Sequence, residues 1–165
     1  MAEGSPDVPV QKIVSGGQTG VDQGALDAAI ALGIEHGGWC PRGRTCETGV
    51  IPSRFRLRET DSERYAVRTE RNVIDSDATL IVHRGPLTGG TALTAELAKR
   101  HRRPCYCVDL AAGPPDLDDL RQWLQAHHVR VLNVAGPRAS GYPEGAEQTY
   151  RLLLALFGRD PSSGS

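Results

Sequence analysis

The chain has 165 residues, enough for one domain with a buried core, and carries 19 Lys and Arg against 20 Asp and Glu. A formal net charge of −1 excludes the overall basic field that steers a protein onto nucleic acid. No stretch approaches the roughly 18 consecutive apolar residues of a membrane helix, and MAEGSPDVPV lacks the charged start and apolar run of a signal peptide.

These features predict a cytoplasmic protein with neither nucleic-acid nor membrane partners. Its four cysteines, Cys40, Cys46, Cys105 and Cys107, are then expected to stay reduced. Cys105 and Cys107 would share one face of a strand, but the gaps do not fit the C-x-x-C pairs of a zinc site, so no metal ligands are expected. Nearly all basic residues are arginine, Lys12 and Lys99 being the lysines. The guanidinium fork suits phosphates and other oxyanions; a GC-rich genome gives the same bias.

In chain order, residues 1–9 read as a disordered tail. QKIVSG is a short strand, and VDQGALDAAIALG a helix with Val21, Ala25, Ala28, Ala29 and Leu32 on one buried stripe, ended by Gly33. IEHGGW is a second strand. Residues 40–58 have two prolines, two glycines and no clear period, and read as an ordered loop. Thr60 and Glu63 have the spacing of a capping box that opens a helix through SERYAVRTERNVID.

ATLIVH is a strand followed directly by the helix GTALTAELAKRH. PCYCVDL is the next strand, DLDDLRQWLQAHH a helix, VRVLNVAG the last strand and EGAEQTYRLLLALFG the closing helix; 159–165 form a second disordered tail. Strands alternating with helices predict one α/β domain over residues 10–158, a mostly parallel sheet with helices on both faces in three layers. Ligands of such sheets bind outside the carboxyl ends of the strands. The loops SGGQTG, RGPLTGG and AGPRASGY all leave strand carboxyl ends, so they are expected to share one crevice.

In the first loop Gly16 and Gly17 free the backbone for close approach, and Gln18, Thr19 and Gly20 lead into a helix N-terminus that favours anions. The dinucleotide fingerprint fits only in part, since Ser15 stands where its first glycine belongs, and no G-K-[ST] of a P-loop exists. Asp22 suits the first turn of a helix, or accepts hydrogen bonds from a ribose or pterin-like ring. The second loop offers Thr88, Gly89, Gly90 and Thr91 ahead of another helix start. Together the two loops point to an anion site.

Residues 42–71 hold eight arginines against five acids; Arg64, Arg68 and Arg71 make one helical stripe, either solvated or ligand-facing. Arg138 in the third loop is the stronger single candidate for ligand charge. No H-E-x-x-H or G-x-S-x-G pattern occurs. Glu96 is the carboxylate near the second loop, a general base or simply the outer side of a helix. His127 and His128 end a helix, where capping carbonyls accounts for them.

KIVSGGQTGVDQGALDAAIALGIEHGGWCPRGR, RTERNVIDSDATLIV, LTGGTALTAELAKRHRRPC and LNVAGPRAS resemble, in this order, the molybdenum carrier family, or molybdenum cofactor carrier proteins. The likeness runs from about Lys12 to Phe157. It implies a Rossmann-like fold, in a group shared with the Lonely Guy phosphoribohydrolases and DNA-processing protein A. It further implies a non-enzymatic protein that stores or delivers molybdenum cofactor, or a related oxyanion such as molybdate, to a molybdoenzyme acceptor, and that forms homo-oligomers, often tetramers. Gly16 to Gly20, Thr88 to Thr91, Asn133, Gly136 and Arg138 are the positions the resemblance carries over.

The phosphoribohydrolase relatives use P-G-G-x-G-T-x-x-E, whereas here five positions, not three, separate Thr91 from Glu96. That shift swings the carboxylate by more than half a helical turn. Cleavage of a nucleoside 5'-monophosphate at its N-glycosidic bond, and nucleotide sensing without turnover, stand as the alternative functions.

Overall fold

β1 (Lys12–Val14), β2 (Glu35–Gly37), β7 (Ala78–His83), β8 (Cys105–Asp109) and β9 (Val131–Ala135) pair in the order β2-β1-β9-β7-β8. Every pairing in this sheet is parallel. The computed structural model describes residues 10–158; the predicted tails, 1–9 and 159–165, lie outside the described residues. β7 is buried along its whole length, as a central strand covered on both faces must be.

The helices are α1 (Val21–Leu32), α2 (Tyr65–Ile74), α3 (Gly89–Arg100), α4 (Leu117–Ala126) and α5 (Gly145–Phe157). Alternate sheet residues Ile13, Leu80, Val82, Leu132 and Val134 form the main core with apolar residues of α1, α4 and α5. Val73 of α2 and Leu97 and Ala98 of α3 pack on the opposite face, against Cys105. This is the predicted three-layer, Rossmann-like architecture. Among the described residues no helix is long and apolar enough to cross a membrane.

α1 ends at Gly33, whose φ of 72° places it in the left-handed region. Gly24 lets α1 approach α5: a Cβ there would lie 2.3 Å from the Ala146 carbonyl oxygen. One apolar stripe does not describe α1. Leu26 faces elsewhere, joining Cys40, Cys46, Ile51 and Phe55 in a separate small core. That core orders the stretch read as a loop, which contains β4 (Thr45–Cys46) and β5 (Gly49–Val50) as an antiparallel hairpin.

IEHGGW is not one strand. After β2 the chain turns at Gly38, whose φ is 122° and where a Cβ would lie 2.3 Å from the Ser15 carbonyl oxygen. β3 (Trp39–Cys40) then pairs with β6 (Arg58–Glu59) outside the main sheet. The capping box is also absent: α2 begins at Tyr65, and the Thr60 hydroxyl serves a local turn with Ser62.

Candidate functional site

Because β1, β7 and β9 are parallel and adjacent, the loops after them leave one edge of the sheet. They meet in a cleft of about 430 Å³ whose remaining wall is α2. That volume is in the range of small-molecule sites. β9 lies between the other two strands, so its loop, 136–144, holds the cleft's centre.

The first loop is engaged mainly by protein. Ser15 Oγ donates to the Val134 carbonyl at 2.6 Å. Gly16 is glycine because the Arg68 guanidinium rests on it; a Cβ would meet Arg68 Nη1 at 1.6 Å. Gly17, at φ 83°, is covered by Ile51 and Leu57, and Gly20, at φ 85°, by the backbone of residues 137–139. At the start of α1 the Val21 amide donates to Pro137 O at 3.3 Å, and the Gln18 amide reaches Asp22 Oδ2, also at 3.3 Å. The expectation of two helix starts opening on one hollow therefore needs correction: the third loop and Asp22 occupy that of α1.

The second loop is open. His83 Nδ1 lies 2.6 Å from Gly85 O, and the Gly85 amide donates to Asp109 Oδ1 at 2.9 Å, which fixes the path of the chain off β7. The carboxylate of Asp109 is held below the usual aspartate range by the amides of Gly85 and Ala111. α3 begins with no side-chain cap. Thr91 and Ala92 amides turn back to Thr88 O, whereas the Gly89 and Gly90 amides have no protein acceptor among the described residues. A Cβ on either glycine would meet nothing within 4 Å. Unpaired amides at a helix start concentrate positive potential where they point.

The facing wall carries cations and a ring. Arg68 Nη1 is 3.1 Å from Asp22 Oδ2, with side-chain exposures of 13% and 3%. Burial pushes the Asp22 carboxyl above its usual range against the pull of Arg68. Arg68 Nε is buried and has no hydrogen-bond partner among the described residues. Two guanidiniums lie near the Tyr65 ring, Arg68 Cζ at 5.6 Å and Arg138 Cζ at 5.7 Å from its centroid. Arg138 is exposed and forms no ion pair among the described residues.

Glu47, at the tip of the β4–β5 hairpin, clasps the first and third loops. Its Oε1 accepts from the Thr19 hydroxyl and, at 3.0 Å, from the Ser140 amide. Those hydrogen bonds, Thr19 first, hold its carboxyl below the usual glutamate range. The Gln18 side-chain oxygen accepts from the Glu47 amide at 2.8 Å.

Of the residues singled out in the sequence, Gln18, Asp22, Arg68, Thr88, Gly89, Gly90, Thr91, Gly136 and Arg138 line the cleft. Gly16, Gly17, Thr19 and Gly20 do not, being used in the close packing just described. Asn133 lies within β9, buried, and donates to Thr79 Oγ1 at 3.2 Å; it ties two strands instead of facing the cleft. Glu96 points outward and pairs with Arg100 at 2.9 Å, so it supplies no base there. Reading the sequence missed Tyr65, one turn before Arg68 on the same helix, and Glu47, whose partners are distant in sequence and left no local signal.

A family profile described as the circularly permutated YpsA SLOG family matches residues 13–157. Among solved structures the chain is similar to one named "Putative molybdenum carrier protein", from Syntrophus aciditrophicus SB. The two are 44% identical, the match covers 90% of this chain and 95% of that one, and the TM-score is 0.85. No curated protein matches.

Proposed function

The chain belongs to the circularly permutated YpsA SLOG family, and from that premise we propose that its cleft binds molybdenum cofactor, or a related molybdenum oxyanion, for storage and delivery to a molybdoenzyme. The observation that carries this reading is the uncapped start of α3, Gly89 and Gly90, set in one cleft with Arg138 and Arg68. Fixed amides and guanidiniums hold phosphate and oxo groups through charge-assisted hydrogen bonds. The Thr88 and Thr91 hydroxyls add donors, and the Tyr65 face suits the planar pterin. A protein 44% identical over nearly the same length is named as a molybdenum carrier, which supports the same ligand class.

The test is retention. Protein incubated with molybdenum cofactor released from a molybdoenzyme, then desalted, should keep about one molybdenum per chain by elemental analysis. Arg138→Ala combined with Thr91→Ala should keep at least tenfold less; equal retention by the two proteins rejects the reading.

Nucleotide sensing is the second reading, and Tyr65 favours it, since any planar heterocycle can stack there. Adenosine monophosphate bound without release of free base, with no retention of the molybdenum ligand, would decide for it. The hydrolase reading has lost its carboxylate, Glu96, to the outer face of α3.

A further inference from the structure

Gln18, just ahead of α1, is 5% exposed and lines the cleft. Its side-chain oxygen accepts from two backbone amides, Thr19 at 3.1 Å and Glu47 at 2.8 Å. Those two donors fix which end of the side-chain amide is oxygen, so Nε2 is the end left over. Nε2 has no acceptor among the described residues, and it is not one of the enclosed atoms that lack a partner, Arg68 Nε and Thr149 Oγ1. It is therefore a donor with an open surface, held rigidly in the wall of the cleft.

Beside it stands an acceptor. Asp22, 2% exposed, also lines the cleft and receives the Gln18 backbone amide at 3.3 Å. The hydrogen bonds it accepts from Gln18 and Arg68 both fall on Oδ2. The Ser15 hydroxyl beside the carboxylate gives its proton to Val134 O at 2.6 Å. Oδ1 thus keeps its lone pairs, and with Arg68 as counter-ion the carboxylate is an acceptor. One fixed donor next to one fixed acceptor asks for the reverse order on a ligand, a carbonyl beside an N–H.

Resting on the cofactor reading of the cleft and narrowing it, we propose that Gln18 and Asp22 recognise the lactam edge of a pterin. The ring carbonyl accepts from Gln18 Nε2, and the adjoining ring N–H donates to Asp22. A ring with an amino group and a bare nitrogen at those positions sets donor against donor and lone pair against carboxylate. Buried polar groups left unpaired in that way are a strong basis for rejecting a near-isostere. A bare oxyanion has no N–H for Asp22 and brings its charge against the carboxylate, so the pair selects the heterocycle. The open amides of Gly89 and Gly90 and the face of Tyr65, in the same cleft, accommodate phosphate and ring.

The test is a pair of ligands that differ only at this edge. A pterin carrying a 6-phosphomethyl group and its 2,4-diamino counterpart are titrated into the native protein and followed by pteridine fluorescence. The pterin should bind at least tenfold tighter, a comparison that needs no variant to fold. Gln18→Glu still accepts both backbone amides but offers an oxygen where the donor was, and it should abolish the preference. Equal affinity for the two pteridines, binding of neither, or an undiminished preference in Gln18→Glu would overturn the proposal. Guanosine 5'-monophosphate presents the same edge on a purine; binding tighter than the pterin's overturns it too, because the edge then belongs to a nucleotide. Molybdenum retention keeps the two readings apart. Retention without a pteridine preference sinks this inference alone, and a preference without retention sinks only the carrier.

Discussion

Arg68 and Arg138 both border the cleft, but the structure gives them different burdens. Arg68 is the counter-ion of a buried Asp22; removing one partner of such a pair costs about 3–5 kcal/mol, because the other charge stays buried alone. Arg68→Ala should therefore lower the free energy of urea unfolding by about 3 kcal/mol. Arg138 is exposed and unpaired among the described residues, so Arg138→Ala should stay within about 0.5 kcal/mol of the parent while losing ligand. Glu47 has a titration of known sign. Its folded carboxyl sits below its ordinary value near 4.5, so the clasp's stabilisation is complete above that value and is lost as pH falls through the folded one. Asp22, shifted upward by burial, acts oppositely: burying its charge costs nothing at low pH and most once it ionises. Comparing acid unfolding of the native chain with Glu47→Gln isolates the clasp, and the variant should show the shallower fall in stability.

Among the elements, the contact of α1 with α5 is the place where two effects of known size compete. Alanine in a helix interior is favoured over glycine by about 1 kcal/mol, yet at Gly24 its methyl would lie 2.3 Å from a backbone oxygen of α5. Backbone cannot swing aside as a side chain can, and overpacking costs about 1–3 kcal/mol. Gly24→Ala should thus lower the melting temperature despite its better propensity. β7 was the most legible element because its apolar run is continuous and buried along its whole length, and the helices after it followed from their apolar periods. The stretch 40–58 was not, because its order comes from Leu26 on α1 closing over Cys40, Cys46, Ile51 and Phe55, a contact with no local pattern. The apparent capping box failed for a related reason: Thr60 found its partner within a turn.

For the molecule as a whole, the parallel sheet makes the site readable: three loops on one edge follow from strand order, and nine of the singled-out residues line the cleft. What the sequence did not disclose is which helix start stays open, since that depends on Pro137 reaching back to Val21. Ligand that binds only the folded chain should stabilise it by about 2.7 kcal/mol at a hundred times its dissociation constant, visible as a rise in melting temperature absent from Arg138→Ala. The sheet order carries one more consequence. β9 is the last strand in sequence but the third in space, joining β1 to β7, and Ser15 reaches its partner Val134 across 119 positions. A nascent chain that has not yet emitted Val131 holds two half-sheets with unsatisfied edges and no common neighbour. Assembly is consequently governed by a late, long-range closure, and truncation by even the final thirty-odd residues should leave an aggregation-prone intermediate, not a smaller version of the fold.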